Sequence, residues 1–126
     1  MKKRDYSLIS LLLMLLFMTA CSNKGEVNTI PVDEFAVVIT NPDVQLVDVR
    51  SAEEYAKGNI KGSVNISLKS ENFSGEIGRQ LDTERPVAVY CNGGRESAEA
   101  AEILSSMGFK VFELEKGYKN WIKENK

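Results

Sequence analysis

The sequence predicts an α/β fold, an open parallel sheet flanked by helices on both faces. From residue 27 onward, short apolar runs of strand character alternate with longer runs of helical spacing. The strand-like runs are apolar along most of their length, as expected of strands that are covered on both sides. Strands separated in this way by helices are typical of βαβ units, which form parallel sheets. The chain has 126 residues, of which 43% are hydrophobic, and this suffices for one domain with a core.

Five runs predict strands in chain order, at residues 27–30, 45–49, 64–66, 86–90 and 110–114. Between the first three strands, helices are expected at residues 31–39 and 51–58. Pro31 suits the first turn of a helix, and Pro42 follows the end of that helix. Ser51 and Glu54 form a capping box, and Gly58 ends the second helix.

The second half of the chain contains the strongest helix signal, at residues 97–107. The apolar face of this helix is expected to consist of Ala98, Ala101, Leu104 and Met107. Gly108 is suited to end the helix, and a final helix is expected at residues 118–124. Residues 72–81 are ambiguous between helix and loop, and helix is favoured only after Gly75.

The first twenty residues differ in composition from this domain. Lys2, Lys3 and Arg4 form a basic segment, and residues 8–18 are nearly all apolar but too short to span a bilayer comfortably. Small residues then lead directly to Cys21. This pattern resembles a bacterial lipoprotein signal peptide with its lipobox, and an uncleaved anchor or an ordinary secretory signal is the alternative.

The resemblance to lipoprotein signals implies cleavage before Cys21 and a diacylglycerol group on the Cys21 sulfur. Residues 21–26 would then be a lipidated tether, and residues 27–126 an extracytoplasmic domain held at a bacterial membrane. Cys91 would be the one free thiol of the mature chain. The net charge would change from −2 to about −4, which argues against nucleic acid as a partner.

Cys91 lies between a predicted strand and a predicted helix, in a glycine-rich turn. The N–H groups of such a turn can bind an anion, and the same field stabilises a thiolate. The chain contains no histidine, so the loop itself would have to activate this thiol. An inert buried cysteine is the structural alternative.

Asp48 and Arg50 are expected near Cys91, because both groups follow strands that end at the same edge of a parallel sheet. A supporting role is favoured for both side chains. Asp48 would hold the loop, and Arg50 would pair with Glu54 or with another acidic neighbour.

Three groups of motifs resemble the signatures of rhodanese-like domains. The first consists of residues 46–50 (LVDVR), 53–55 (EEY), 58–63 (GNIKGS) and 65–66 (NI). The second is the loop at residues 90–97 (YCNGGRES), which is most similar to that of exported, phage-shock-type single-domain rhodaneses. The third consists of Gly117, Tyr118 and Trp121. The motifs occur in the family's order, and the resemblance covers about residues 27–121.

The resemblance implies a sulfurtransferase in which Cys91 takes a sulfane sulfur from a donor such as thiosulfate. The resulting persulfide would pass the sulfur to cyanide or to a thiol. The resemblance also implies that the loop binds substrate, through Asn92, Gly93, Gly94, Arg95, Glu96 and Ser97. Ser97 is further expected to cap its helix. No metal or other cofactor is expected, and an envelope protein with a reactive thiol is a candidate partner beside the small-molecule donor and acceptor.

The length of the loop separates sulfur transfer from phosphoryl chemistry. Related phosphatases have five residues between cysteine and arginine, whereas three separate Cys91 from Arg95. Glu96 stands where many members of the family have arginine, which leaves the role of Arg95 open. Asn59 and Lys116 replace a usual histidine and a usual glycine of the family.

Two other functions stay open. Cys91 could carry persulfide or exchange disulfides for an envelope partner without turning over thiosulfate. The domain could also be a binding module that has lost turnover. The acidic residues Glu96, Glu99 and Glu102 are most simply a solvated helix face, but they could also repel an anionic donor.

Overall fold

The computed structural model describes residues 23–125, in which strands and helices alternate. The strands are β1 (Val27–Ile30), β2 (Gln45–Asp48), β3 (Val64–Asn65), β4 (Val87–Tyr90) and β5 (Val111–Leu114). The helices are α1 (Val32–Val38), α2 (Ala52–Lys57), α3 (Phe73–Gln80), α4 (Arg95–Ser106) and α5 (Gly117–Glu124).

The strands form one sheet in the order β1-β5-β4-β2-β3, and every neighbouring pair is parallel. Two of the inner strands, β2 and β4, are buried along their whole length, which explains why β4 is apolar apart from the Tyr90 hydroxyl. The buried polar side chains of β2, Gln45 and Asp48, both form hydrogen bonds. Asp48 lies beside Tyr90 in the register, so the residues that follow both strands emerge at the same edge. Val89 lies beside Glu113 on the other side of β4.

The two faces of the sheet bury two separate cores, because successive residues of a strand point to opposite sides. Val47 and Val89 pack in the core that α3 and α4 cover. Ala88 packs in the other core, beneath α1 and α5. The rings of Phe35 in α1 and Trp121 in α5 meet edge to face there, with centroids 6.2 Å apart. The predicted parallel sheet with helices on both faces is therefore confirmed.

Helix α2 begins and ends where the sequence predicts. The Ser51 hydroxyl accepts a hydrogen bond from the Glu54 N–H at 3.2 Å, and Gly58 follows the last helical residue. Helix α3 begins at Phe73, earlier than expected, because Phe73 and Ile77 place two buried side chains one turn apart.

Helix α4 corrects the predicted apolar face. The helix begins at Arg95, two residues before the expected start, and Ala98 is exposed. Its buried residues are Ser97, Ala100, Ala101, Leu104 and Ser105. The helix is rich in alanine, and alanine alone does not show which of two adjacent faces turns toward a core.

The expected tether is partly fixed to the domain. The Gly25 N–H donates to the Ser105 carbonyl at 2.8 Å, and the Ser105 hydroxyl donates to the Gly25 carbonyl at 2.7 Å. The predicted signal peptide and Cys21 lie outside the described residues. Within residues 23–125, no helix has the length and apolar character needed to cross a bilayer.

Candidate active site

The loop that contains Cys91 joins the end of β4 to the start of α4. Gly94 is the N-cap residue of α4 and has a φ of 98°, which is the left-handed region that favours glycine. A Cβ atom at Gly94 would lie 3.3 Å from the backbone nitrogen of Lys116. Gly93 is exposed, has no positive φ, and has free space where a side chain would lie. The turn therefore requires glycine at position 94, whereas the structure gives no such reason at position 93.

The Cys91 side chain is 2% exposed and has hydrogen-bond partners on two sides. The Gly94 N–H donates to Sγ at 3.1 Å. Sγ in turn donates to the Ser97 hydroxyl oxygen at 3.3 Å. Because the first turn of α4 follows directly, the positive end of the helix dipole also lies beside the sulfur. The thiol is thus buried, ordered and next to a field that favours an anion.

Among the described residues, neither Arg95 nor Glu96 forms a side-chain hydrogen bond with this thiol. The Arg95 side chain is exposed, and within residues 23–125 it makes no ion pair or side-chain hydrogen bond. Glu96 is half-buried, and its carboxylate lies 3.5 Å from the Lys69 ammonium. An open cleft of about 350 Å³ is lined by Leu68, Lys69, Arg95, Glu96 and Glu99. Basic and acidic side chains therefore lie together beside the loop.

Arg50 and Asp48 form a buried ion pair beneath the loop. Nη2 of Arg50 lies 2.7 Å from Oδ2 of Asp48, and Nε contacts both carboxylate oxygens at 3.1 Å. Nη2 also donates to the Gly58 carbonyl at 2.6 Å. Burial of the guanidinium opposes its charge, but the hydrogen bonds and the charge of Asp48 raise the pKa of Arg50 above its usual value. Arg50 therefore pairs with Asp48 rather than with Glu54.

Asn92 connects this ion pair to the loop. Its Oδ1 accepts from Nη1 of Arg50 at 3.3 Å, and its Nδ2 donates to the Glu54 carboxylate. The bond from Asn92 is the main reason why the pKa of Glu54 lies below its usual value, and bonds from Ser51 add to it. The Asn92 side chain therefore links the strand end of β2, helix α2 and the loop.

The first turn of α5 closes the loop from the opposite side. The N–H groups of Tyr118 and Lys119 donate to the carbonyls of Cys91 at 2.7 Å and Asn92 at 3.1 Å. Gly117 has a φ of 65°, and a Cβ atom there would lie 2.4 Å from the Asn92 carbonyl oxygen. The Tyr118 ring lies under Arg50, with the guanidinium carbon 4.3 Å from the ring centroid.

Glu113 is a residue of this site that sequence reasoning missed. Its Oε1 accepts a hydrogen bond from the Ser97 hydroxyl at 2.6 Å, although Ser97 was expected to cap its helix. Its Oε2 accepts from the Thr29 hydroxyl at 2.8 Å. The sequence signal for Glu113 is a charged residue within a short, otherwise apolar run. In the structure, Glu113 lies beside Val89 of β4, the strand that precedes Cys91.

No cluster of three or more potential metal ligands occurs in the part of the chain that the structure describes.

Comparison with known proteins identifies the family. The profile of the Rhodanese-like domain matches residues 31–124. The chain belongs to the rhodanese-like domain family. This rhodanese-like chain is 34% identical over 119 residues to the uncharacterized protein YibN of Escherichia coli K12, a match that covers 93% of this chain and 82% of YibN.

Two further relatives place the domain within the family. The thiosulfate sulfurtransferase PspE of Escherichia coli K12 is 41% identical over 76 residues, which cover 59% of this chain and 70% of PspE. The crystal structure of a rhodanese-related protein from Thermoplasma volcanium superposes with a TM-score of 0.64 at 29% identity. That match covers 77% of this chain and 92% of the other.

Proposed function

We propose that this rhodanese-like protein is a sulfurtransferase that carries a sulfane sulfur as a persulfide on Cys91. The observation that carries the proposal is the buried Cys91 thiol, which accepts the Gly94 N–H at the start of α4. The likeness to PspE, which is named a thiosulfate sulfurtransferase, supports a thiosulfate-type donor.

Once the Cys91 thiol has lost its proton to solvent, the first half-reaction needs no further proton transfer. The Cys91 thiolate attacks the outer sulfur of thiosulfate, the S–S bond of thiosulfate breaks, and sulfite leaves with the bonding electron pair. The product is a Cys91 persulfide, and the total negative charge is the same before and after. The Gly94 N–H and the N-terminus of α4 supply the positive field for this charge.

The second half-reaction removes the outer sulfur. An acceptor such as cyanide or a thiolate attacks the persulfide's outer sulfur, and the bond between the two sulfurs breaks. The acceptor leaves as thiocyanate or as a new persulfide, and the Cys91 thiolate is regenerated. We assign the open cleft lined by Lys69 and Arg95 as the route by which donor and acceptor reach Cys91.

The short loop argues against phosphoryl transfer. Only Asn92, Gly93 and Gly94 separate Cys91 from Arg95. A phosphoryl group needs several donors around its three outer oxygens. In the structure, the Arg95 side chain is exposed and does not close over the thiol.

The predicted cellular location is a separate part of the proposal. We infer from the basic, apolar and small-residue segments before Cys21 that the mature chain is lipidated at Cys21 and tethered outside the cytoplasm at a bacterial membrane. The sequence pattern alone supports this step.

Replacement of Cys91 tests the activity. Cys91→Ser keeps the size of the side chain but removes the nucleophile, so thiocyanate formation from thiosulfate and cyanide should fall to background. Mass spectrometry after incubation with thiosulfate alone should find one added sulfur atom on Cys91. Cys21→Ser is the matched control and should retain turnover. Normal turnover in Cys91→Ser would refute the proposal.

One observation favours a second candidate, a persulfide carrier or thiol-exchange module for an envelope protein. Glu96 and Glu99 line the cleft beside the loop together with Lys69 and Arg95, so the cleft offers no net positive charge to a small dianion such as thiosulfate. A persulfide on a partner protein is not a small dianion, and the partner's surface can make further contacts around the cleft. Transfer from protein persulfides without transfer from thiosulfate would select this candidate.

A further inference from the structure

Glu113 is a buried carboxylate that takes no part in the proposed sulfur-transfer steps. It is 3% exposed, and it lies on β5 at the level of Val89. Each of its two oxygens accepts one hydroxyl hydrogen bond, from Ser97 at 2.6 Å and from Thr29 at 2.8 Å. Within residues 23–125, this carboxylate is held by hydroxyl donors alone and has no cationic partner.

The Ser97 hydroxyl connects this carboxylate to the thiol. Ser97 has one O–H hydrogen, and it is donated to Glu113. The Ser97 oxygen can then only accept on its other side, and it accepts from Sγ of Cys91 at 3.3 Å. This arrangement suits a thiol, which keeps its proton. A thiolate at the same place would face a lone pair of Ser97 and, behind it, a negative charge.

The loop itself acts in the opposite sense. The Gly94 N–H donates to Sγ at 3.1 Å, and the N-terminus of α4 adds its positive field. Both interactions favour the thiolate. Cys91 therefore lies between one group that favours ionisation and another that opposes it.

The other charged groups around the loop are paired or exposed. Arg50 is neutralised by Asp48, Glu54 binds the Asn92 amide, and Glu96 lies beside Lys69 at the surface. Arg95, Lys116 and Glu99 are exposed. Of the titratable groups in residues 23–125, Glu113 is the one with a chain of hydrogen bonds that reaches Sγ.

We propose that Glu113 is a positioning residue that acts through Ser97: it keeps the Ser97 oxygen available as an acceptor for the Cys91 thiol, and so limits the reactivity of Cys91. The thiolate is both the nucleophile and the form that oxidises. Glu113 therefore limits the reactivity of the resting thiol. The loop N–H groups act in the opposite sense, because they stabilise an anionic sulfur once it forms at Cys91.

The test measures the rate of Cys91 alkylation by iodoacetamide against pH, on the full-length chain in detergent, with the label quantified on the Cys91 peptide. Glu113→Gln keeps the shape and an acceptor for Ser97 but removes the charge. Below the midpoint of the wild-type profile, alkylation of this variant should be about tenfold faster. Glu115→Gln, the same change at an exposed position two residues along the chain, should leave the profile unmoved.

Ser97→Ala tests the link independently, even where Glu113→Gln does not fold. We expect the midpoint to move lower, because the oxygen that accepts the hydrogen bond from the thiol is gone. A higher midpoint would mean that Ser97 donates to the thiolate, and it would overturn the proposal. A Glu113→Gln profile that coincides with the wild type would do the same. The inference rests on the proposed function, because both concern the Cys91 thiol. The alkylation test uses no sulfur donor, so its failure can be distinguished from a failure of sulfur transfer.

Discussion

Glu54 joins helix α2 to the Cys91 loop through the side-chain amide of Asn92. Its carboxylate also accepts a hydrogen bond from the Ser51 hydroxyl at 3.1 Å. These bonds favour the charged form, which is why the pKa of Glu54 is lowered in the folded protein. A single side chain thus links the cap of a helix to the geometry of a reactive loop.

The lowered pKa of Glu54 predicts a specific pH dependence of stability. Because the folded state binds this proton more weakly than the unfolded state, the stabilisation is present above the unfolded pKa and is lost as the pH falls through the folded one. Glu54→Gln should therefore be less stable at pH 7, and it should lose less stability between about pH 5 and pH 3.

Denaturant unfolding at a series of pH values checks this expectation. Glu53→Gln is the matched control, since Glu53 is a neighbouring, exposed glutamate that forms a surface ion pair with Lys57. Parallel pH profiles for the wild type and Glu54→Gln would contradict the assignment.

At the scale of elements, the end of β4 is tied to the segment between α2 and β3. The buried Tyr90 hydroxyl accepts the Ile60 N–H at 3.0 Å and exchanges a hydrogen bond with the Ser63 hydroxyl at 3.1 Å. Burial raises the pKa of Tyr90, so its hydroxyl stays protonated throughout the physiological range. The residue before Cys91 thereby fixes a segment whose Gly58 carbonyl binds Arg50.

Tyr90→Phe should destabilise the domain by about 1–3 kcal/mol, because it leaves the buried Ile60 N–H without an acceptor. Urea unfolding monitored by circular dichroism measures the change. Tyr118→Phe is the control of identical chemistry, because the Tyr118 hydroxyl has no hydrogen bond within residues 23–125, and its effect should stay within about 0.5 kcal/mol. Equal losses in both variants would contradict the role given to the Tyr90 hydroxyl.

The elements themselves were largely predictable from the sequence. Apolar strands, the Ser51 cap and Gly58 are local signals, and β1, β2 and α2 lie where those signals place them. The partners of single polar side chains were not predictable. That Ser97 donates to Glu113 depends on β4 and β5 being neighbours, and nothing local in either segment shows that pairing.

At the scale of the whole molecule, the site is assembled from segments that are far apart in the chain. The loop after β4 is held from below by Arg50, which follows β2, and from above by the first turn of α5. The close contact at Gly117 leaves no room for a side chain between α5 and the Asn92 carbonyl.

Gly117→Ala should therefore cost about 3 kcal/mol, from the left-handed φ and from the clash with the loop, and should lower sulfur transfer in proportion to the disturbed loop. Gly78→Ala is the matched control. Gly78 lies in α3, where an added methyl group would have free space, so alanine should stabilise the domain by about 0.5–1 kcal/mol. Thermal unfolding and turnover assays check both, and a neutral Gly117→Ala variant would contradict the contact.

The hold of α5 on the loop also has a consequence for the order in which the protein matures. The carbonyls of Cys91 and Asn92 find their partners only when the first turn of α5 is in place. A chain that is still being synthesised, with α5 not yet emerged, has the cysteine but not the finished loop. Until that moment Cys91 is an ordinary thiol in an unfolded chain, open to mixed disulfides. Docking of the first turn of α5 is therefore the step that completes the hydrogen bonds of the loop around Cys91.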